Sequence, residues 1–215
     1  QRSALSDAER ERGRLLLCCA APLGDVEIEY EEGAGGREHA TLHRARVAHV
    51  ERLAHDVLLL RLSLGDGERL EFRPGQFINI ILPDGERRAY SFATRPPAEG
   101  GIELHIRLVP GGRFTTWAFN QMRVGDTIDF EGPLGYSALH DGEQPMILVA
   151  GATGFAPVKS MLEQAFHEGY RRPLHLYWGV RQKRDLYLPD LPRRWEAEHP
   201  GFHFVPVLSE PAPQD

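Results

Sequence analysis

From about residue 41 to 140 the chain alternates apolar and polar positions in short runs. "HRARVAHVERL", "DVLLLRLSL", "QFINIILP", "RRAYSFATR", "IELHIRLV" and "DTIDFEG" each read as a strand, and turn-formers such as "GDGE", "PDGE" and "PAEGG" separate them. Six such runs fit a small antiparallel barrel or sandwich. The exception, "GGRFTTWAFNQM", predicts a short helix behind Gly111 and Gly112. From about 145 the rhythm changes. "PMILVA" is a continuous apolar run of the kind a buried parallel strand needs, followed by a Gly-rich turn and a helix that stops at Gly169. "PLHLYWGV" and "FHFVPVLS" predict two more strands, with a helix over "DLPRRWEAEHPG" between them. Alternating strand and helix implies a parallel α/β sheet, here of three strands where a doubly wound nucleotide domain usually has five or six. Residues 1 to 40 are mixed: a charged helical opening, one strand in "DVEIEY" and a Glu/Gly-rich linker.

Composition narrows this picture by exclusion. No stretch of about 18 apolar residues is present to span a bilayer, and the opening has no signal-peptide form. A formal charge of −6 argues against a broad nucleic-acid surface. The only cysteines, Cys18 and Cys19, are neighbours; a disulfide between them would be strained, and reduced thiols in a cytoplasmic protein follow. The ten histidines show no H-E-x-x-H spacing, so no zinc site is expected. The first residue is not methionine and the last run stops at "LSEPAPQD", a pattern expected of a chain cut from something longer at both ends.

Three stretches carry candidate chemistry. In "RRAYSFATRP", Arg88 and Tyr90 share one strand face with Ser91 opposite, which suits a ligand with an anionic part and a flat ring. An ordinary strand with a surface arginine and a half-buried tyrosine has the same pattern. In "LVAGATGFAP" a buried strand runs through Gly151 and Gly154 into a helix, bringing backbone N–H groups onto one point that can hold an anion. Many G-x-x-G turns merely pack a helix on a sheet. In "PGGRFTTWAF", Gly111 and Gly112 free the backbone while Thr115 and Thr116 offer hydroxyls near a helix start; on this stretch alone a hairpin turn with a capping threonine is the better reading.

The order "RRAYSFAT", "GGRFTTW", "EGPLGY", "AGATGFAP", "YWGVRQKRDLYL" resembles the ferredoxin–NADP reductase superfamily of flavoproteins over residues 41 to 215. That resemblance implies an antiparallel six-stranded Greek-key flavin-binding β-barrel over 41–140, then a truncated parallel α/β nicotinamide-nucleotide-binding domain over 141–215. It places Arg88 on the flavin pyrophosphate, Tyr90 against the isoalloxazine ring and Ser91 near its N5 edge. His105, Ile106, Arg107, Gly111, Gly112, Arg113 and Thr115 would surround the flavin's phosphate and ribitol. Gly151, Thr153, Gly154, Ala156 and Pro157 would form the nicotinamide turn, with Tyr90, Ser91 and Thr153 nearest the reacting atoms. "LLLCCAAPLGDVEIE" looks like the closing edge of a plant-type [2Fe–2S] ferredoxin domain, with Cys18 as fourth ligand; the C-x₄-C-x₂-C run that holds the other three is absent.

The nearest resemblance is therefore to ferredoxin-fused reductases of bacterial aromatic-ring oxygenases and phenol hydroxylases, and to CDP-6-deoxy-glucoseen reductases. It implies that NAD(P)H gives a hydride to FAD, whose electrons pass singly to the cluster and then to a terminal oxygenase or dehydratase. Members with this domain order usually carry FAD rather than FMN. Ser209 and Glu210 stand where NADPH users tend to have Ser-Arg, which favours NADH; Arg181, Lys183 and Arg184 keep NADPH open. The Cys-Gly-Pro-like turn of the family's nicotinamide domain is missing, which puts full turnover in doubt. A free flavin reductase and a non-enzymatic regulatory protein on the same fold are the rival readings.

Overall fold

The computed structural model describes residues 7–14, 23–27, 40–65, 68–98, 101–136, 139 and 142–213. Two compact units divide the chain, Gln1–Ala34 and Gly35–Asp215. In the first, the charged opening forms a short helix, α1 (Asp7–Glu11). The strand read in "DVEIEY" does not form at Asp25–Glu27, and residues 28–30 lie outside the described residues. So do Cys18 and Cys19.

The second unit begins with the six strands that the alternation predicts: β1 (Thr41–Ala54), β2 (Val57–Ser63), β3 (Phe77–Ile81), β4 (Arg87–Ser91), β5 (Ile102–Arg107) and β6 (Thr127–Leu134). They pair antiparallel in the order β4-β3-β6-β1-β2-β5. A bridge between Phe92 and Leu104 joins the two edge strands, and the Ala93 N–H donates to the Glu103 carbonyl at 2.8 Å. The sheet thus closes on itself, which satisfies its edges without exposing them. Period-2 burial fills the interior with Leu60, Leu62, Ile78, Ile80, Phe92, Leu104, Ile106 and Phe130. Helix α2 (Arg113–Asn120) lies in the β5–β6 connection and buries Phe114 and Ala118 in that same core. β6 continues through Pro133 to Leu134, past the point where the sequence suggests a turn.

The remainder is a parallel sheet, β7 (Met146–Gly151), β8 (Leu174–Val180) and β9 (Phe202–Leu208), in chain order. Helix α3 (Phe155–His167) follows β7, and α4 (Asp190–Glu198) precedes β9. One face of the sheet forms a second core from Leu148, Ala150, Leu176, Trp178 and Phe204, packed with Phe155, Leu162 and Trp195 from the helices. Val57, Leu53 and Ala54, at the tip of the β1–β2 hairpin, reach into this second core and join the two layers. The other face leaves Ile147, Val149, Tyr177 and Val205 exposed. Parallel sheets are ordinarily covered on both faces, so this open one is unusual. Among the described residues no helix is long and apolar enough to cross a membrane.

Candidate functional site

The β3–β4 hairpin turns through Pro83, Asp84 and Gly85, and its geometry fixes which way each arginine of β4 points. Arg87 pairs with Glu131 on β6 at 2.9 Å. Arg88 turns instead to Glu86, and Arg113, at the start of α2, reaches the same Glu86 Oε2 at 3.3 Å and also pairs with Asp84. Two guanidiniums from separate elements thus converge on one carboxylate oxygen. That donor set fits a diphosphate, which offers more negative charge and more acceptor oxygens than one carboxylate.

Tyr90, two residues along, is half-buried and lies 5.4 Å from the Phe114 ring. Burial pushes its hydroxyl up to about 12 against the opposing pull of Arg88, so the ring stays neutral. Ser91 is half-buried at the end of the strand, opposite Phe77.

The loop that leads into α2 is held by its own threonine. The Val109 N–H donates to Thr115 Oγ1 at 3.1 Å, and that hydroxyl's proton faces the Val109 and Gly112 carbonyls, each at 3.2 Å. Thr115 is therefore occupied in closing the loop and does not cap the helix. A Cβ on Gly112 would come within 2.7 Å of Thr115 Oγ1, and Gly111 has φ +76°, so both positions need glycine.

The β5 residues divide. Ile106 is fully buried in the barrel, and His105 is 3% exposed, so either could meet a ligand only through its backbone. Arg107 is exposed and pairs with Asp56 at 2.9 Å. The His105 ring faces Tyr187, whose hydroxyl lies 2.9 Å from Nδ1, and Glu103, 3.3 Å from Nε2. These partners assign the proton to Nε2, with Nδ1 accepting from Tyr187. Burial lowers the His105 pKa below 6.5, outweighing the raising effect of Glu103. Burial alone would raise the Glu103 carboxyl, but His105, Lys159 and Arg61 together pull it from 4.5 to about 2.

Both shifts make acid destabilising. Below 6.5 the unfolded chain takes up a proton at His105 that the folded one refuses, and below 4.5 the same holds for Glu103 until about pH 2. The urea midpoint should therefore fall from pH 7 to 5, and His105→Gln should flatten that slope.

A concavity of about 330 Å³ opens where β7, β8 and β9 end. It is lined by Gly151, Ala152, Thr153, Arg181, Tyr187 and Ser209, with Asp56 and Arg107 contributed by the barrel. Ligands of open α/β sheets bind at the carboxyl ends of the strands, as this cleft would require. A Cβ on Gly151 or Gly154 would meet nothing within 4 Å, so the turn presents open backbone, and no side chain caps α3 behind it. Ala156 is buried and Pro157 half-buried in the first turn of α3. Glu210 is exposed just past the cleft, its N–H donating to the Arg181 carbonyl at 2.9 Å.

Ala152 holds φ +47°, a left-handed conformation that costs a residue with a Cβ about 1–2 kcal/mol. Ala152→Gly should remove that strain, less the greater entropy glycine loses on folding. The net is expected to be a gain of up to about 1 kcal/mol, read as a raised Tm.

A closed barrel with two arginines converging beside an aromatic, followed by a parallel sheet that ends in a glycine turn, has the architecture of a two-domain flavin–nicotinamide oxidoreductase. Family models agree: residues 44–138 match the oxidoreductase FAD-binding domain and 148–215 the oxidoreductase NAD-binding domain. The chain belongs to the ferredoxin–NADP reductase superfamily. It is 45% identical over 204 residues to terephthalate 1,2-dioxygenase reductase component 2 of Comamonas sp, covering 92% of this chain and 59% of that protein. To the CDP-6-deoxy-L-threo-D-glycero-4-hexulose-3-dehydrase reductase of Yersinia pestis it is 33% identical over 207 residues, covering 95% and 62%. The crystal structure of the Amycolatopsis cytochrome P450 reductase GcoB superposes with TM-score 0.76 at 38% identity, covering 97% of this chain and 64% of that one. The chain thus spans roughly three-fifths of the length of these relatives.

Proposed function

We propose that this chain is the flavin and nicotinamide part of an NAD(P)H-dependent reductase that feeds single electrons, through an iron–sulfur centre, to a partner oxygenase or dehydratase. The observation that carries this reading is the shared cleft: Asp56 and Arg107 of the barrel line it together with the nucleotide turn, so a dinucleotide bound there lies against the barrel. FAD, when bound, supplies the conversion between a two-electron donor and one-electron acceptors.

The chain's own residues supply grip and orientation. Arg88 and Arg113 hold the pyrophosphate, and Gly111 and Gly112 let backbone N–H groups approach it. Tyr90 packs against the ring as a neutral phenol, and Ser91 offers a hydroxyl at the N5 edge. The backbone of His105 and Ile106 borders the ribitol. Gly151, Thr153 and Gly154 seat the nicotinamide half, while Ser209 and Glu210 meet the ribose. Glu210 favours NADH, although Arg181 stands in the same cleft as Ser209 and would attract a 2′-phosphate. Cys18 would serve a [2Fe–2S] cluster only where a longer protein supplies three more cysteines. The partner kinds follow those in the relatives' names, and the open face of the parallel sheet is where the rest of a nicotinamide domain would pack.

The test is a visible spectrum of the purified, dialysed chain loaded with FAD, before and after anaerobic NADH. A flavin spectrum that bleaches supports the reading. Retained flavin that NADH leaves oxidised confines the failure to the nicotinamide half, and loss of all flavin on dialysis favours a free flavin reductase. Failure to take up FAD or FMN at all overturns the assignment.

A further inference from the structure

Between the two halves lies a group of buried charges that neither cofactor site uses. Lys159 sits on α3, within two turns of the nucleotide turn that opens it, and is 8% exposed. Its ammonium donates to the Ala93 carbonyl at 2.7 Å and pairs with Glu103 at 3.1 Å and Glu163 at 2.8 Å, which engages all three of its protons. The next residue, Ser160, is fully buried and donates to the Thr94 carbonyl at 2.7 Å. Two successive side chains of the nucleotide helix therefore hold two successive carbonyls just beyond Ser91. Ala93 is also the residue whose N–H closes the barrel onto Glu103.

A buried ion pair is weak evidence for stability, because desolvation offsets much of the attraction. Its geometric effect differs. An apolar contact tolerates sliding, whereas these directional bonds are satisfied in one arrangement. The two carbonyls lie in the segment that leaves β4 immediately after Tyr90 and Ser91. The helix they hold carries Gly151, Thr153 and Gly154 at its head.

We propose that Lys159, seconded by Ser160, is a positioning residue that fixes the nucleotide turn relative to the flavin strand, and so sets the separation across which the nicotinamide and flavin rings meet. The inference rests on the reductase reading above, yet part of it is testable without turnover. Lys159 touches neither cofactor seat, so Lys159→Met keeps the apolar stem and leaves Glu103 with Arg61 and His105.

The experiment compares the 215-residue chain with its Lys159→Met, Lys159→Arg and Ser160→Ala variants. Hydrogen exchange on the cofactor-free chains comes first. Lys159→Met should speed exchange at least tenfold in the peptides covering 92–95 and 155–160, with β1–β2 unchanged, and Ser160→Ala should do so less. Equal exchange in wild type and both variants overturns the proposal. On the FAD-loaded chains, the flavin Kd should stay within about threefold, and the reduction rate at saturating NADH should fall at least tenfold in Lys159→Met. Lys159→Arg should recover part of that loss. A wild-type reduction rate in Lys159→Met also overturns the proposal. A wild-type chain that keeps its flavin but is not reduced by NADH would confine the failure to the nicotinamide half, and the exchange data would still decide the positioning role. If Lys159→Met does not fold, Ser160→Ala carries both measurements.

Discussion

Arg88→Ala should raise the Kd for FAD by roughly ten- to a hundredfold in a fluorescence titration. A hydrogen bond to a charged group is worth about 1.5–3 kcal/mol, and each 1.4 kcal/mol is a factor of ten. The free protein already pairs Arg88 with Glu86, but that pair is half-exposed, and surface ion pairs are worth about 0–1 kcal/mol. Exchanging the Glu86 carboxylate for a diphosphate in a seat that a bound ring shields from water therefore retains most of the gain. Arg87→Ala is the control built into the same strand. Its guanidinium reaches Glu131, away from the seat, and its loss should change the Kd by less than twofold. Arg88→Lys should fall between, because it keeps the charge and loses the planar fork. Glu86→Gln should tighten binding modestly, since the carboxylate that competes for both arginines is gone. An Arg88→Ala variant that binds FAD like the wild type would remove the anion seat from the site.

How far the sequence leads depends on the range of the interaction that fixes each feature. Alternation in "FINII" or "IELHIR" is local, so strand identity is legible there. The run "PMILVA" followed by a glycine turn is likewise local, and it marks the parallel half. What alternation leaves open is barrel against sandwich. The answer lies in the Phe92–Leu104 bridge that joins the two edge strands, a pairing that alternation within either strand does not encode.

At the site the division is the same. Arg88 and Arg113 stand in recognisable motifs, yet their meeting on Glu86 Oε2 depends on the β3–β4 hairpin folding over the start of α2. His105 shows the other kind of gap. The resemblance places it around the flavin, whereas its buried ring is directed to Tyr187, 82 residues away, and to Glu103. Lys159 follows an Ala-Pro turn and reads as a surface lysine on a helix; only the packed structure buries its ammonium against β5. The available signal was its place on the apolar side of α3, one residue before a fully buried serine. Cys18, the residue on which the cluster expectation turns, lies outside the described residues.

Trp178→Ala should cost about 3–5 kcal/mol, the range for removing a large buried aromatic from a core. Trp178 is fully buried at the centre of β8, stacked on Phe155 at 4.0 Å and edge-on to Tyr187 at 5.0 Å. Its indole N–H also donates to the Ala152 carbonyl at 2.9 Å, the residue that holds the strained φ of the nucleotide turn. The substitution thus opens a cavity and frees the turn at once. Trp178→Phe separates the two effects. It keeps most of the ring volume and leaves the Ala152 carbonyl without its donor, at about 1–3 kcal/mol.

The two cores make the outcome informative beyond its size. The barrel core contains Leu60, Ile78, Phe92 and Phe130 but no residue of the parallel sheet, so flavin affinity should survive Trp178→Ala. Urea denaturation followed by far-UV circular dichroism and by bound-flavin fluorescence should then give two midpoints, the flavin signal persisting to higher urea. One coincident transition would instead show that Val57, buried in the second core, with Leu53 and Ala54 of the same barrel hairpin packed against it, ties the halves into one cooperative unit. In that case the loss of about 3–5 kcal/mol would release flavin as well, because native domains hold only about 5–15 kcal/mol in total.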